Sequence, residues 1–227
     1  FLIPLCYVLI LNNEVLNYIF LALFIVVAYS LIQAGIAADK EQNTKHWKDR
    51  MIALIIFMVI NISFWACFEQ AGTSLTLFAD RNVDRFIFGW EMPASMTQFF
   101  NPFFIILFGS IFSVMWVKLS NIGKNPSIPL KFCFGIVQLA LGFLLTQVGF
   151  QFVNEAYQVP ILTLVFLYML HTSGELFLSP IGLSMVTKLS PKSMAGTAMG
   201  AWFLSFAIAN YVGGKIASFT GGHGGGE

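Results

Sequence analysis

Apolar segments of about the length that a helix needs to cross a bilayer recur along the whole sequence. A transmembrane helix takes roughly 20 residues, whereas a strand of a membrane barrel takes roughly ten. Polar or proline-containing breaks separate the segments, and each segment has helical length. The sequence therefore predicts an all-α membrane protein with six spans, at residues 15–37, 51–79, 94–118, 131–153, 160–187 and 193–218, preceded by the end of an earlier span at 1–11.

The composition supports lipid as the solvent. Of the 227 residues, 57% are hydrophobic and 10% are charged, whereas a soluble domain carries about 25% charged residues. The net charge of +1 gives no indication of a nucleic-acid partner, and no phosphate-binding loop or metal-ligand motif occurs in the sequence. Because it begins inside an apolar run and ends on GGHGGGE, we expect the sequence to be a piece of a larger protein.

The basic residues indicate the orientation of the spans. Cytoplasmic connections of membrane proteins carry an excess of Lys and Arg. Alternate connections hold nine of the twelve basic residues, and the remaining three, Arg81, Arg85 and Lys215, lie on the other side. We therefore place the nine in the cytoplasm: Lys40, Lys45, Lys48, Arg50, Lys118, Lys124, Lys131, Lys188 and Lys192.

Two carboxylates lie well inside predicted spans, unlike the other nine of the chain. They are Glu69 in the second span and Glu175 in the fifth, and no Lys or Arg shares the membrane interior with them. A charged side chain at the centre of a span costs about 2.5–3.5 kcal/mol on insertion scales, and such residues usually face a bundle interior or a wet cavity. Either acid could exchange protons there, although a protonated Glu that only bonds a neighbouring helix is the structural alternative.

Further polar and aromatic residues lie one or two to a span. Trp65 is four residues before Glu69, and His171, Glu175 and Ser179 repeat that spacing, which predicts a single polar stripe on the fifth span. A cavity between helices near the membrane midplane, of the kind that transporters use, is built in this way. Asn101 could instead join helices, His171 with Glu175 would make only two ligands of a metal site, and Gly196 with Gly200 form a GxxxG pattern typical of helix packing.

Four segments resemble the proton-dependent oligopeptide transporter family of the major facilitator superfamily. The resemblance covers the chain from about residue 50 onward, with the motifs in family order: FWACFEQAGTSLTLFA (64–79), MTQFFNPFFIILF (96–108), GELFLSPIGLSMVTKLSP (174–191) and GTAMGAWFLSFAIANYVGG (196–214). It implies the carboxy-terminal half of a bacterial member. Residues 1–50 would be the end of one inserted helix, a second inserted helix and a cytoplasmic linker, 51–218 core helices seven to eleven, and 219–227 a truncated glycine-rich tail.

The resemblance also implies roles for individual residues. Glu175 would receive the amino terminus of a peptide, with Ser179 supporting it and Asn101 holding the same end of the peptide. Trp65 and Trp202 would be aromatic walls of the cavity. Glu69 would pair with an Arg of the first core helix across a periplasmic gate and take part in proton coupling, as would Glu175.

The function implied is proton-coupled symport of di- and tripeptides by alternating access, in the bacterial inner membrane. The partners would be the peptide, protons, the bilayer and an amino-terminal six-helix bundle that supplies the gate Arg and the groups for the peptide carboxylate; no cofactor beyond the proton is expected. Two alternatives stay open. The same fold could carry nitrate or another small organic solute, although Glu175 favours an amine-bearing cargo, and a membrane enzyme using His171 with Glu175 would lack a nucleophile or a full ligand set.

Overall fold

A computed structural model describes residues 13–221 of the chain. The predicted end of an earlier span at 1–11 and the glycine-rich residues 222–227 lie outside the described part. The longer helices are α1 (Asn13–Gln42), α2 (Trp47–Phe68), α3 (Ser74–Asn82), α4 (Phe100–Asn121), α5 (Ile128–Gly149), α6 (Ile161–Leu189) and α7 (Ala195–Gly221).

Short 3-10 helices and two-residue strands lie between these helices. The 3-10 segments are Glu69–Gly72, Ala94–Phe99, Phe150–Phe152 and Lys192–Met194, and the strands are β1 (Val83–Asp84), β2 (Phe86–Ile87), β3 (Trp90–Glu91) and β4 (Val159–Pro160). Strand β1 pairs with β4 in parallel, and β2 pairs with β3 as a hairpin. The hydrophobic pattern did not predict the strands, because two residues carry too little periodicity.

Five helical segments in the described part are long and apolar enough to cross a membrane. They are Glu14–Gln42, Trp47–Asn82, Ala94–Asn121, Ile128–Phe152 and Ile161–Leu189, and they match the first five predicted spans. The sixth predicted span, 193–218, forms the 27-residue helix α7 but is not among these five segments. Its Gly, Ser, Thr and Asn residues lower its mean hydropathy, although its length suffices for a span.

The chain divides into two compact units. The first comprises residues 13–62 and 185–208, and the second comprises 63–184 and 209–221. Helices α2, α6 and α7 each contribute to both units. The assignment of 1–50 to inserted helices and of 51–218 to a carboxy-terminal bundle stays a prediction.

In the first unit, hydrogen bonds to side chains join consecutive and distant helices. The Asp39 carboxylate near the end of α1 accepts hydrogen bonds from the backbone N–H groups of His46, Trp47 and Lys48 at the start of α2. It thereby satisfies donors that a helix start leaves without an intrahelical partner. Within the spans, buried Asn61 donates from Nδ2 to Ser205 Oγ at 2.9 Å, which links α2 to α7.

In the second unit, a buried apolar core lies between the helices that flank the strand pair. Its side chains come from α3, β1, α4 and α6: Leu75, Ala79, Val83, Phe104, Leu164, Leu167 and Tyr168. Arg85, next to this core, donates to the carbonyl of Met92 at 2.6 Å and forms ion pairs with Asp80 and Glu91. Arg85 therefore connects Glu91 of the hairpin to Asp80 of α3 by charge.

Three glycines spaced seven residues apart on α5 allow close contact with α6. A Cβ at Gly135 would lie 2.9 Å from the carbonyl oxygen of Gly174, one at Gly142 2.6 Å from His171 Nε2, and one at Gly149 2.7 Å from Thr163 Oγ1. Small residues let helix backbones approach closely in a membrane, where lipid offers no hydrophobic drive for association. At Gly196 and Gly200 a Cβ would meet no atom of another element of 13–221 within 4 Å, so a packing role for this GxxxG pattern stays a prediction.

We expect Gly142→Ala to destabilise the protein. The added methyl group would overlap the imidazole of His171, and overpacking of this kind costs typically about 1–3 kcal/mol. The matched control is Gly109→Ala on α4, where a Cβ meets open space and a helix gains up to about 1 kcal/mol from Ala. Thermal unfolding in detergent measures both variants, and equal melting temperatures would contradict the packing described here.

Candidate functional site

A polar cluster within the second unit joins α4 to α6 inside the predicted membrane interior. Asn101 Nδ2 donates to Glu175 Oε2 at 3.0 Å and to Thr172 Oγ1 at 3.1 Å. Thr172 is fully buried, whereas Asn101 and Glu175 are half-buried. The cluster therefore presents one carboxylate whose position is fixed by an amide from the neighbouring helix.

Local sequence explains why these side chains converge. Asn101 lies in the first turn of α4, directly before Pro102, which is tolerated there because first-turn N–H groups need no intrahelical acceptor. Thr172 and Glu175 are three residues apart on α6 and so share one face of that helix. One amide at the start of α4 can therefore reach both side chains.

Glu69 lies where the second span is interrupted. Helix α2 ends at Phe68, a 3-10 turn covers Glu69–Gly72, and α3 begins at Ser74. The Glu69 side chain is exposed and has no hydrogen bond or ion pair with any residue of 13–221. Glu69 and Glu175 both belong to the second unit.

The other predicted site residues of the second unit lie beside these acids in the chain. Trp65 is half-buried and packs edge-on against the rings of Phe64 and Phe68 at 5.6 and 5.1 Å. Ser179 is half-buried one turn after Glu175, directly before Pro180, through which α6 continues. Their roles in holding a substrate stay predictions.

Trp202 belongs to the first unit. It is 2% exposed and packs against Phe206 with the ring centroids 6.2 Å apart. Its carbonyl accepts a hydrogen bond from Ser205 Oγ at 2.6 Å, and Ser205 in turn accepts from Asn61. The turn that carries Trp202 is thus held by a buried polar chain, while its role as a cavity wall stays a prediction.

The predicted polar stripe of His171, Glu175 and Ser179 is wrong as a single surface. His171 is 1% exposed and faces α5, where Nε2 lies 3.2 Å from the carbonyl oxygen of Leu139. Its ring fills the notch at Gly142, 4.7 Å from the centroid of Phe143, whereas Glu175 faces Asn101 on α4. Side chains four residues apart on a helix differ in direction by about 40°. His171 can therefore face α5 while Glu175 faces α4.

The sequence did not predict the contacts of two residues in this region, although Gln70 is part of the polar content after Glu69. Thr172 is a small polar residue in an apolar run, and its three-residue spacing from Glu175 was the available signal. Gln70 is 4% exposed and joins the interrupted helix to α7, but a glutamine beside a glutamate carries no signal of burial.

No group of three or more His, Cys, Asp or Glu side chains suited to a metal occurs among residues 13–221.

Comparison with known proteins identifies the family. The POT family model matches residues 12–223. The chain is 32% identical over 219 residues to dipeptide and tripeptide permease B of Salmonella typhimurium, covering 96% of this chain and 44% of the permease. It is 39% identical over 176 residues to the peptide transporter YePEPT of Yersinia enterocolitica, covering 77% of this chain and 34% of that protein.

A solved structure gives the same result for the fold. The crystal structure of peptide transporter POT in complex with sulfate superposes with a TM-score of 0.80 at 29% identity, covering 96% of this chain and 44% of that one. The chain is a polytopic helical membrane protein of the transporter class. It belongs to the POT family, which confirms the predicted resemblance and fold class, and it spans less than half the length of these relatives.

We expect Asn101→Ala to destabilise the second unit. The hydroxyl of Thr172 would lose the hydrogen bond that the Asn101 amide donates to it. The carboxylate of Glu175 would lose its only hydrogen bond with residues of 13–221. Leaving a buried acceptor unsatisfied costs about 1–3 kcal/mol. Asn121→Ala, at the exposed end of the same helix, is the matched control in thermal unfolding, and an equal effect of the two changes would contradict the cluster.

Proposed function

We propose that the chain is the carboxy-terminal part of a proton-coupled symporter that carries di- and tripeptides into the cell by alternating access in the bacterial inner membrane. Family membership supports this proposal, as do relatives named for dipeptide and tripeptide transport. An amino-terminal six-helix bundle, outside this sequence, would complete the transport path. The protein is then a transporter rather than an enzyme, with the proton as its coupling ion and no other cofactor.

The observation that carries the proposal is the Asn101–Glu175 hydrogen bond. It occupies Glu175 Oε2 and leaves Oε1 without a hydrogen bond to any residue of 13–221. A peptide ammonium that leaves water for a site of low dielectric needs a fixed anion, because an unpaired buried charge is costly. Oε1 of Glu175 would accept a hydrogen bond from that ammonium, and the hydrogen bond from Asn101 to Oε2 would hold the carboxylate in position.

Glu69 supports the coupling part of the proposal. A coupling carboxylate has to change its partner between outward- and inward-open states, since a ligand shifts an equilibrium only by its differential affinity for the two states. Glu69 is exposed and unpaired among the described residues, so it is available to a proton or to an Arg of the first bundle.

The alternatives receive less support. Glu175 would repel nitrate, and a solute without an amine would leave Oε1 unpaired. The enzyme hypothesis needs His171 to act with Glu175, but the two side chains contact different helices and His171 Nε2 is engaged by the carbonyl of Leu139.

We predict that Glu175→Gln in the full-length protein abolishes proton-driven dipeptide uptake into liposomes. Truncating one member of a buried charge pair costs about 2–5 kcal/mol, roughly thirtyfold or more in affinity. Glu155→Gln removes the same charge from an exposed connection and should leave uptake unchanged. An N-acetylated dipeptide should fail to compete for the parent protein, and unchanged uptake by Glu175→Gln would refute the binding role.

We predict that Glu69→Gln reduces proton-driven accumulation more than peptide counterflow. The amide cannot release a proton, so the gradient no longer drives the cycle, whereas counterflow requires only that the loaded site change sides. Glu41→Gln, at an exposed position near the end of α1, controls for the loss of a surface charge. An equal loss of both activities would leave Glu69 with no separate role in coupling.

A further inference from the structure

The interruption of the second span frees backbone groups inside the membrane. Between α2 and α3, the 3-10 turn Glu69–Gly72 and Thr73, whose φ of −128° and ψ of −94° are not helical, break the helical hydrogen-bond series. Each unsatisfied backbone group in lipid costs several kcal/mol, so a broken helix persists only where other groups supply partners. Those partners decide where Glu69, the first residue of the break, is held.

The Gln70 side chain supplies one of these partners and also joins the break to α7. Its Nε2 donates to the carbonyl of Ala66 at 2.8 Å and to the carbonyl of Gly213 at 3.0 Å. Its Oε1 accepts from Ser74 Oγ at 2.7 Å and from Thr73 Oγ1 at 3.3 Å. An amide side chain has two donors and two acceptor sites, and all four are used here.

These bonds connect two backbone carbonyls, those of Ala66 and Gly213, with the hydroxyl groups of Thr73 and Ser74. Ala66 belongs to α2 before the break, Ser74 begins α3 after it, and Gly213 lies on α7. Gly213 permits the approach, because a Cβ there would lie 3.1 Å from the carbonyl oxygen of Ala66. A second contact, 2.9 Å between Ser74 Oγ and Thr220 Oγ1, holds α3 to α7 further along.

The fixed Gln70 and the unpaired Glu69 are adjacent residues with opposite environments. Gln70 is buried and fully bonded, while Glu69 is exposed and has no hydrogen bond or ion pair within 13–221. If the break were free, the Glu69 carboxylate could drift toward any cation without moving a helix. Because Gln70 holds the break to α7, a force on Glu69 is transmitted to the backbone of α7.

We propose that Gln70 is the positioning residue of Glu69, and that its amide fastens the helix break to α7 so that protonation of Glu69 moves α7. The role of Glu69 in coupling rests on the proposed function above. Gln70 itself touches neither substrate nor proton; it acts through the backbone of Glu69 and the carbonyl of Gly213.

The transport test compares Gln70→Leu with the parent in full-length protein reconstituted into liposomes. Residues that couple two sites typically change coupling by 0.5–2 kcal/mol, or about twofold to thirtyfold. We expect proton-driven accumulation to fall by a factor in that range and its pH profile to shift, with peptide counterflow and the apparent KM retained. Gln33→Leu, the same change at an exposed position of α1, should behave as the parent.

A second test does not depend on transport. Cysteines placed at Ser74 and Thr220, in a background free of other cysteines, should form a disulfide readily in the parent because their side chains are adjacent. Gln70→Leu should slow this reaction, because the break is no longer fastened. Gly213→Ala should reproduce both results through the methyl group that separates Ala66 from α7, and it serves if Gln70→Leu does not fold.

The outcomes separate this proposal from the proposed function. If Gln70→Leu loses accumulation and counterflow equally, Gln70 has only a packing role. If the ratio of accumulation to counterflow and the cross-linking rate are both the same as in the parent, Gln70 does not fasten the break. Either result overturns the proposal. If the parent carries no dipeptide, the proposed function fails, and the cross-linking rate alone then decides whether Gln70 fastens the break.

Discussion

The high cost of leaving a backbone polar group without a partner in lipid shapes much of this structure. Water can satisfy a loose carbonyl on a soluble protein, but lipid cannot. Several of the buried polar side chains form hydrogen bonds between helices. Asn61 bonds Ser205 in the first unit, and Asn101 bonds Thr172 and Glu175 in the second. In each case the bond fixes a helix relative to a neighbour of its own unit.

Close packing adds a second constraint, supplied by glycine. At Gly135, Gly142 and Gly149 the absence of a side chain lets α6 approach α5, and at Gly213 it lets the backbone of α2 approach α7. The notch at Gly142 also accounts for His171, which had no assigned role from sequence. Its imidazole bonds a carbonyl of α5 and packs against Phe143, so its place one turn before Glu175 reflects helix packing.

The two intramembrane carboxylates, Glu175 and Glu69, lie on different kinds of backbone. Glu175 lies on a continuous helix and is oriented by a neighbouring amide, which suits a group that must meet a substrate in a fixed geometry. Glu69 lies on a break, exposed and unpaired in the described residues, which suits a group that changes partner. Transporter folds commonly build sites on discontinuous helices, because a break both opens backbone groups and permits local movement. Asn101 thus orients the carboxylate of Glu175 directly, whereas the backbone beside Glu69 is held by Gln70 and the Glu69 carboxylate has no hydrogen bond within 13–221.

Much of the molecule follows from the order of its residues. Apolar length predicted the helices, since a bilayer of known thickness sets the length of a span. The cost of charge in lipid singled out Glu69 and Glu175, and the motifs around them indicated the family. Tertiary structure alone decided which helix each polar residue meets: it paired Asn101 with Glu175, turned His171 toward α5, and placed Gln70 against Gly213. Spacing along one helix shows which residues share a face, but it does not show which helix packs against that face. A contact between residues 143 positions apart, such as Gln70 with Gly213, depends on the tertiary arrangement of the helices.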